Sequence, residues 1–128
     1  MSRNLKWLAR QETSTNIADF TGLTGASFEE IFSRAPKNWI VKFQDRGVGI
    51  KFVEIVDGKE IERIRIHAPE NNPNLPSTAN TNNGWVLKIP ASRNKYFDDS
   101  GKILPYNTNE THIPIKGNPN ANWRKRDI

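Results

Sequence analysis

Two histidines, His67 and His112, and the basic residues Lys51, Arg63 and Arg65 of two neighbouring β-rich runs are the side chains best suited to chemistry. Metal-free RNA cleavage needs a base for the ribose 2′-hydroxyl, an acid for the departing 5′-oxygen and cations for the charge that builds on phosphorus. Imidazole serves either proton-transfer role near neutral pH, and Lys and Arg supply permanent charge. The arginines beside His67 lower its pKa and keep it neutral as a base. Plainer readings stand beside this one: a lone histidine is more often a structural hydrogen-bonding group, and a charged stripe is more often only solvated. Glu54, Glu60 and Glu62 are expected at a solvated rim near the turn. Serines and threonines are plentiful, but none lies in a GxSxG context. With no cysteine and no HxH or HxxxH spacing, neither a disulfide, a Cys nucleophile nor a transition-metal site is expected, and no cofactor is implied. There is no Gly-rich phosphate loop and no internal repeat.

The elements that must position these residues begin with a hairpin, Val48 to His67, turning around Asp57-Gly58. A two-residue Asp-Gly turn would set Ile50 against Arg65 and Phe52 against Arg63, mixing apolar and charged side chains on both faces, and is not expected. A three-residue loop, Val56-Asp57-Gly58, with Gly58 left-handed, shifts the parity by one. Val48, Ile50, Phe52, Ile64 and Ile66 then form a core face. Lys51, Arg63, Arg65 and His67 gather on the other as a stripe suited to an anion, sharing it with Val53, Ile55 and Ile61 nearer the turn. Upstream, Ser27-Phe-Glu-Glu30 is a capping box that opens a helix with Phe28, Ile31 and Phe32 on one face, and Pro36 ends it at Ala35. So short a helix needs a sheet to pack on.

Trp39 to Phe43 reads as the first strand. Trp85 to Ile89, Asn94 to Phe97 and Lys102 to Leu104 supply more, and Thr111 to Ile115 is a last strand carrying His112, with Pro114 at an edge or an end. Residues 68–84, with three prolines and six asparagines, read as an irregular loop flanking the site, without helix or strand. Residues 1–16 read as a linker or short helix, and Lys116 to Ile128 as a loose tail with the basic cluster Trp123-Arg-Lys-Arg126. The expected fold is α+β: one or two short N-terminal helices on a twisted, mostly antiparallel sheet of about four to six strands.

A chain of 128 residues has room for one core, so residues 17–128 are expected to form one domain. Its mean hydropathy is −0.72, and no stretch is long and apolar enough to span a bilayer. A soluble domain without a signal sequence is expected. The 19 basic and 14 acidic residues leave a net charge of +5, which favours nucleic acid, acidic proteins or anionic surfaces as partners.

A helix ending in Ala35-Pro-Lys-Asn-Trp39, a Gly47-Val-Gly-Ile-Lys-Phe52 hairpin, Arg65-Ile-His-Ala-Pro69 with its Asn/Pro loop, Tyr96-Phe-Asp-Asp-Ser-Gly-Lys-Ile103 and Glu110-Thr-His-Ile-Pro114 occur in order. Together they resemble the C-terminal toxin domains of bacterial polymorphic toxins of the contact-dependent inhibition, Rhs and LXG types. The resemblance implies the barnase, EndoU, colicin and RelE group of ribonuclease folds, whose sheet cleaves RNA, often tRNA, without metal. It further implies a monomeric effector domain, secreted or delivered from the cell surface, that acts in the target-cell cytoplasm. A cognate immunity protein would block it. Carried over by position, the His-Ile-Pro histidine is His112 and the hairpin basic residues are Lys51 and Arg65; the expected catalytic set also includes Thr111 and His67, although His67 stands where similar domains hold another residue. Arg63, Lys88 and Lys116 are the expected RNA contacts. The competing expectation is a non-catalytic nucleic-acid-binding module that uses the same basic face and stacks bases on Trp85, Tyr96 and Trp123.

Overall fold

The Ser27 hydroxyl accepts the Glu30 amide N–H at 3.1 Å and opens helix α1 (Phe28–Arg34) as the spacing predicts. Only half of the capping box forms. The Glu30 carboxylate turns forward to pair with Arg34 at 3.1 Å instead of reaching back to Ser27. Ala35, ahead of Pro36, is extended and caps the helix. Phe28 and Ile31 are buried against the sheet, where Phe28 meets Trp85 edge-on with ring centroids 5.1 Å apart.

The structure, a computed structural model, describes residues 20–106, 108–118, 120, 121 and 123. It is α+β, with a short N-terminal helix on a twisted antiparallel sheet of seven strands. The strands are β1 (Ile40–Phe43), β2 (Gly49–Val56), β3 (Lys59–His67), β4 (Val86–Ser92), β5 (Lys95–Phe97), β6 (Ile103–Pro105) and β7 (Ile113–Pro114). Strands β1 to β6 pair in chain order, and β7 adds to β4. Strand β4 changes partners along its length: Val86 and Leu87 lie between β3 and β7, while Ile89 and Pro90 pair with β5.

The hairpin reaches the expected face separation by a different device. Its turn has two residues, with Val56 opposite Lys59, and Asp57 and Gly58 both take positive φ (52° and 79°), as a type I′ turn requires. The parity shift comes from a β-bulge farther along: Phe52 faces Ile64 but Val53 faces Glu62, so Arg63 is the extra residue. Beyond the bulge Ile50 faces Ile66 and Lys51 faces Arg65, the arrangement that separates core from charge. At the far end only glycine fits at position 49. An added Cβ would lie 2.6 Å from the Ile66 carbonyl oxygen and 2.7 Å from the Gln44 side chain.

Two further segments are more ordered than their composition implies. The Asn/Pro segment contains a one-turn helix, α2 (Asn80–Asn83), and its asparagines tie the segment together. Asn82 accepts the Asn72 N–H at 2.6 Å and donates to the Asn72 carbonyl at 3.0 Å, and Asn83 donates to the Ser77 carbonyl at 2.6 Å. Past β7 the chain is docked: Trp123 packs on Phe28 at 4.6 Å between ring centroids, and its carbonyl accepts the Gly49 N–H. Asp99 secures the N-terminal side, accepting from the Leu23 N–H at 2.7 Å and the Thr24 hydroxyl at 2.7 Å. The core between α1 and the sheet joins Phe20, Leu23, Ile31, Ile64, Ile66, Leu87, Ile89 and Ile113. Among the described residues no helix is long and apolar enough to cross a membrane. The expected helix around Leu5 and Leu8 and the Arg124-Lys125-Arg126 cluster lie outside the described residues.

Candidate active site

With Ile64, Ile66 and Leu87 turned to the core, alternation sends Arg65, His67 and Lys88 to the opposite face. The register sets Lys51, Arg65 and Lys88 side by side on β2, β3 and β4. His67 lies opposite Val86, and Val86 is opposite Pro114 of β7. His112, two residues before Pro114, therefore reaches the same patch, and the His67 and His112 rings meet edge-on with centroids 6.4 Å apart. His112 is not within a strand as expected. It caps a 3-10 turn (Asn109–Thr111) just ahead of β7.

Both imidazoles are oriented through the same atom. His67 Nδ1 lies 2.8 Å from the Ala68 carbonyl and His112 Nδ1 lies 3.0 Å from the Thr108 carbonyl. A carbonyl only accepts, so Nδ1 carries the proton in each neutral ring and Nε2 keeps its lone pair for a reaction. The His112 backbone is fixed from the Asn-rich segment, where Asn80 donates to the His112 carbonyl at 3.0 Å. Burial is the main cause that lowers the His67 pKa below 6.5, and Lys88 and His112 add to it; the Ala68 carbonyl and Glu70 oppose it. Burial also lowers the His112 pKa, reinforced by Lys88 and opposed by the Thr108 carbonyl and Glu70. Glu70 Oε2 stands 3.9 Å from His67 Nε2, and the Glu70 backbone N–H is anchored on the Thr81 carbonyl.

The cations differ in how they are held. Glu62 Oε1 receives a hydrogen bond from Arg65 Nη2 at 2.7 Å, and Glu62 Oε2 one from Arg65 Nε at 3.1 Å. Burial opposes the Arg65 charge, but the Glu62 carboxylate outweighs it and the pKa rises. Lys88 carries the opposite shift, lowered first by burial and then by Arg65. Its ammonium lies 4.9 Å from the centre of the Tyr96 ring. Burial, and next the Glu62 charge, push the Tyr96 phenol up. Lys51 is half-buried opposite Arg65 and forms no ion pair among the described residues.

Of the expected residues, His112, His67, Lys51, Arg65 and Lys88 are brought together on this face. Arg63 is not. The bulge turns it to the core side, where it is 5 % exposed and its Nε donates to Glu54 Oε1 at 2.9 Å. Thr111 is buried, and its hydroxyl is spent on the Thr108 and Tyr106 carbonyls at 2.7 and 3.1 Å, so it fixes the turn before His112. Lys116 is exposed past β7, on a segment whose backbone N–H binds the Ala26 carbonyl. Trp85 is buried in the core and half-buried Trp123 packs on it, at 5.4 Å between centroids, whereas Tyr96 lies on the charged face beside Lys88. Glu62, expected at a solvated rim, belongs to the site through Arg65, and Glu54 is buried with Arg63. Glu70 and the contact of Tyr96 with Lys88 were missed. The nearest signal was the three-residue spacing of Glu70 from His67 and of Glu62 from Arg65, which has meaning only once the bulge is known. Among the described residues no group of three or more His, Asp or Glu side chains is arranged to hold a metal ion.

Comparisons with protein-family models, with curated proteins and with solved structures return no match.

Proposed function

We propose that this chain is an endoribonuclease in which one histidine takes a proton from the substrate and the other gives one to it. The observation that carries the reading is the facing pair of buried His67 and half-buried His112, each with Nδ1 committed to a carbonyl, beside Arg65 and Lys88. His112, the more open ring, takes the proton from the ribose 2′-hydroxyl through Nε2. The 2′-oxygen forms a bond to phosphorus as the bond from phosphorus to the 5′-oxygen breaks. His67, whose imidazolium Glu70 favours, gives its proton to the departing 5′-oxygen. Arg65, Lys88 and Lys51 carry the charge that builds on the phosphorane oxygens. The products are a 2′,3′-cyclic phosphate and a 5′-hydroxyl end.

The biological setting rests on the order of segments that resembles toxin domains of polymorphic toxins. On that resemblance the substrate is tRNA, the use is competition between bacteria, and a cognate immunity protein covers the site. The binding-module alternative loses support from the burial of Trp85 and from the packing of half-buried Trp123 on Phe28 and Trp85.

Purified protein should cleave single-stranded RNA in the presence of EDTA and leave cyclic phosphate ends, with no cleavage of the same sequence made as DNA. Cleavage of the DNA, or a requirement for a divalent ion, would contradict the 2′-hydroxyl mechanism.

A further inference from the structure

Directly beside His112 a cavity of about 250 Å³ opens between the Asn-rich segment and the 3-10 turn. Leu75, Pro76 and Ala79 form its apolar wall, and Thr78, Asn109 and His112 bring polar groups to it. The walls are prepared before any ligand arrives. Asn82 donates to the Pro76 carbonyl at 3.2 Å, Asn83 donates to the Ala79 carbonyl at 2.8 Å, and the Asn80 backbone N–H donates to Asn109 Oδ1 at 2.9 Å. That last bond occupies the Asn109 oxygen and orients its amide nitrogen as a donor.

We infer that this cavity is a nucleobase subsite, which receives one unstacked base of the RNA strand and gives the enzyme a base preference; this rests on the ribonuclease reading above. The volume lies below the roughly 300 Å³ at which pockets for drug-sized ligands begin, and suits a single flat ring system. Its chemistry matches a base, with apolar surface for the ring faces and a few polar groups for its edge. Its position argues for the same occupant: His112 is both a wall of the cavity and the proposed acceptor of the 2′-hydroxyl proton. The nucleotide whose ribose is attacked must set its base close to that ring, and Arg65 and Lys88 lie on the phosphate side. Residues 68–84 thus acquire a role, as a preorganised wall whose asparagines hold each other and its backbone.

The test is a titration of isotope-labelled full-length chain with each of the four nucleoside 3′-monophosphates and, separately, with inorganic phosphate, followed by NMR. At least one nucleotide should shift the Leu75 and Ala79 methyl resonances together with the His112 ring, whereas inorganic phosphate should shift the His67 and His112 rings and leave those methyls unmoved. Leu75→Ser, on an exposed part of the wall, and Ala79→Leu, which fills the cavity, should each weaken that nucleotide by about tenfold and leave phosphate binding unchanged. Should Ala79→Leu fail to fold, Leu75→Ser decides. The inference is overturned if every nucleotide perturbs only what phosphate perturbs, or if both folded variants bind nucleotide like the wild type. Methyl shifts without RNA cleavage would sink the ribonuclease reading and keep the base site. Cleavage without methyl shifts would do the reverse.

Discussion

At the scale of single residues, the site depends on what burial does to two imidazoles. Both histidines are lowered below the ordinary 6.5, and the proposed reaction needs one of them protonated and the other neutral. The singly protonated pair of the free protein is therefore most abundant on the acid side of 6.5, and kcat/KM should peak there and fall toward alkaline pH as the acid loses its proton. A bound phosphodiester favours imidazolium, so the kcat optimum should lie at higher pH than that of kcat/KM. A kcat/KM maximum above pH 7 would rule out the histidine pair as drawn. The same shifts act on stability with a definite sign. An unfolded imidazole takes its proton near 6.5 and the folded ones only lower, so stability is full above that pH and declines as the solution is acidified through the folded values. The histidines and the hairpin cations were visible in the sequence because their types are rare and their chemistry specific. Glu70 and the contact of Tyr96 with Lys88 were not, because they arise through strand register and a loop anchor that no local pattern encodes.

At the scale of elements, the hairpin carries the main lesson about reading a sequence. Apolar alternation demanded a parity shift somewhere between Phe52 and Ile64, but a longer turn and a bulge shift parity equally, and periodicity cannot tell them apart. The difference is decisive for Arg63, which the bulge sends under the sheet to Glu54. Removing one partner of a buried ion pair costs about 3–5 kcal/mol because the other charge is stranded, so Arg63→Ala should lower the unfolding free energy by that order in chemical denaturation. It should leave the salt dependence of RNA binding unchanged. Lys88→Ala should do the opposite, reducing the log-log salt slope by about 0.7 with little loss of stability. A reduced slope for folded Arg63→Ala would return that residue to the RNA face. The Asn/Pro segment was legible as a loop beside the site, but its internal hydrogen bonds pair asparagines about ten positions apart, a separation at which composition reports only irregularity.

For the whole molecule, the α+β class, the short helix and most strands followed from capping, proline and alternation signals, because each is a local rule with its own physical cause. The last strand shrank to Ile113–Pro114 since Thr111 commits its hydroxyl to a 3-10 turn. The described part of the supposed tail is docked because Trp123 packs among Phe28, Phe32 and Trp85. A ribonuclease independent of metal acts wherever it meets RNA, so expression of this chain alone should stop growth of a bacterial host. Normal growth with soluble, folded protein in the cells would weigh directly against the toxin role.

His112→Ala offers the sharpest test. Single-turnover cleavage by this variant should fall by about 10² to 10⁴-fold, while its thermal unfolding and its RNA affinity stay close to those of the unaltered protein, because the imidazole acts mainly in the transition state. A folded His112→Ala protein that cleaves RNA at the original rate would contradict the mechanism.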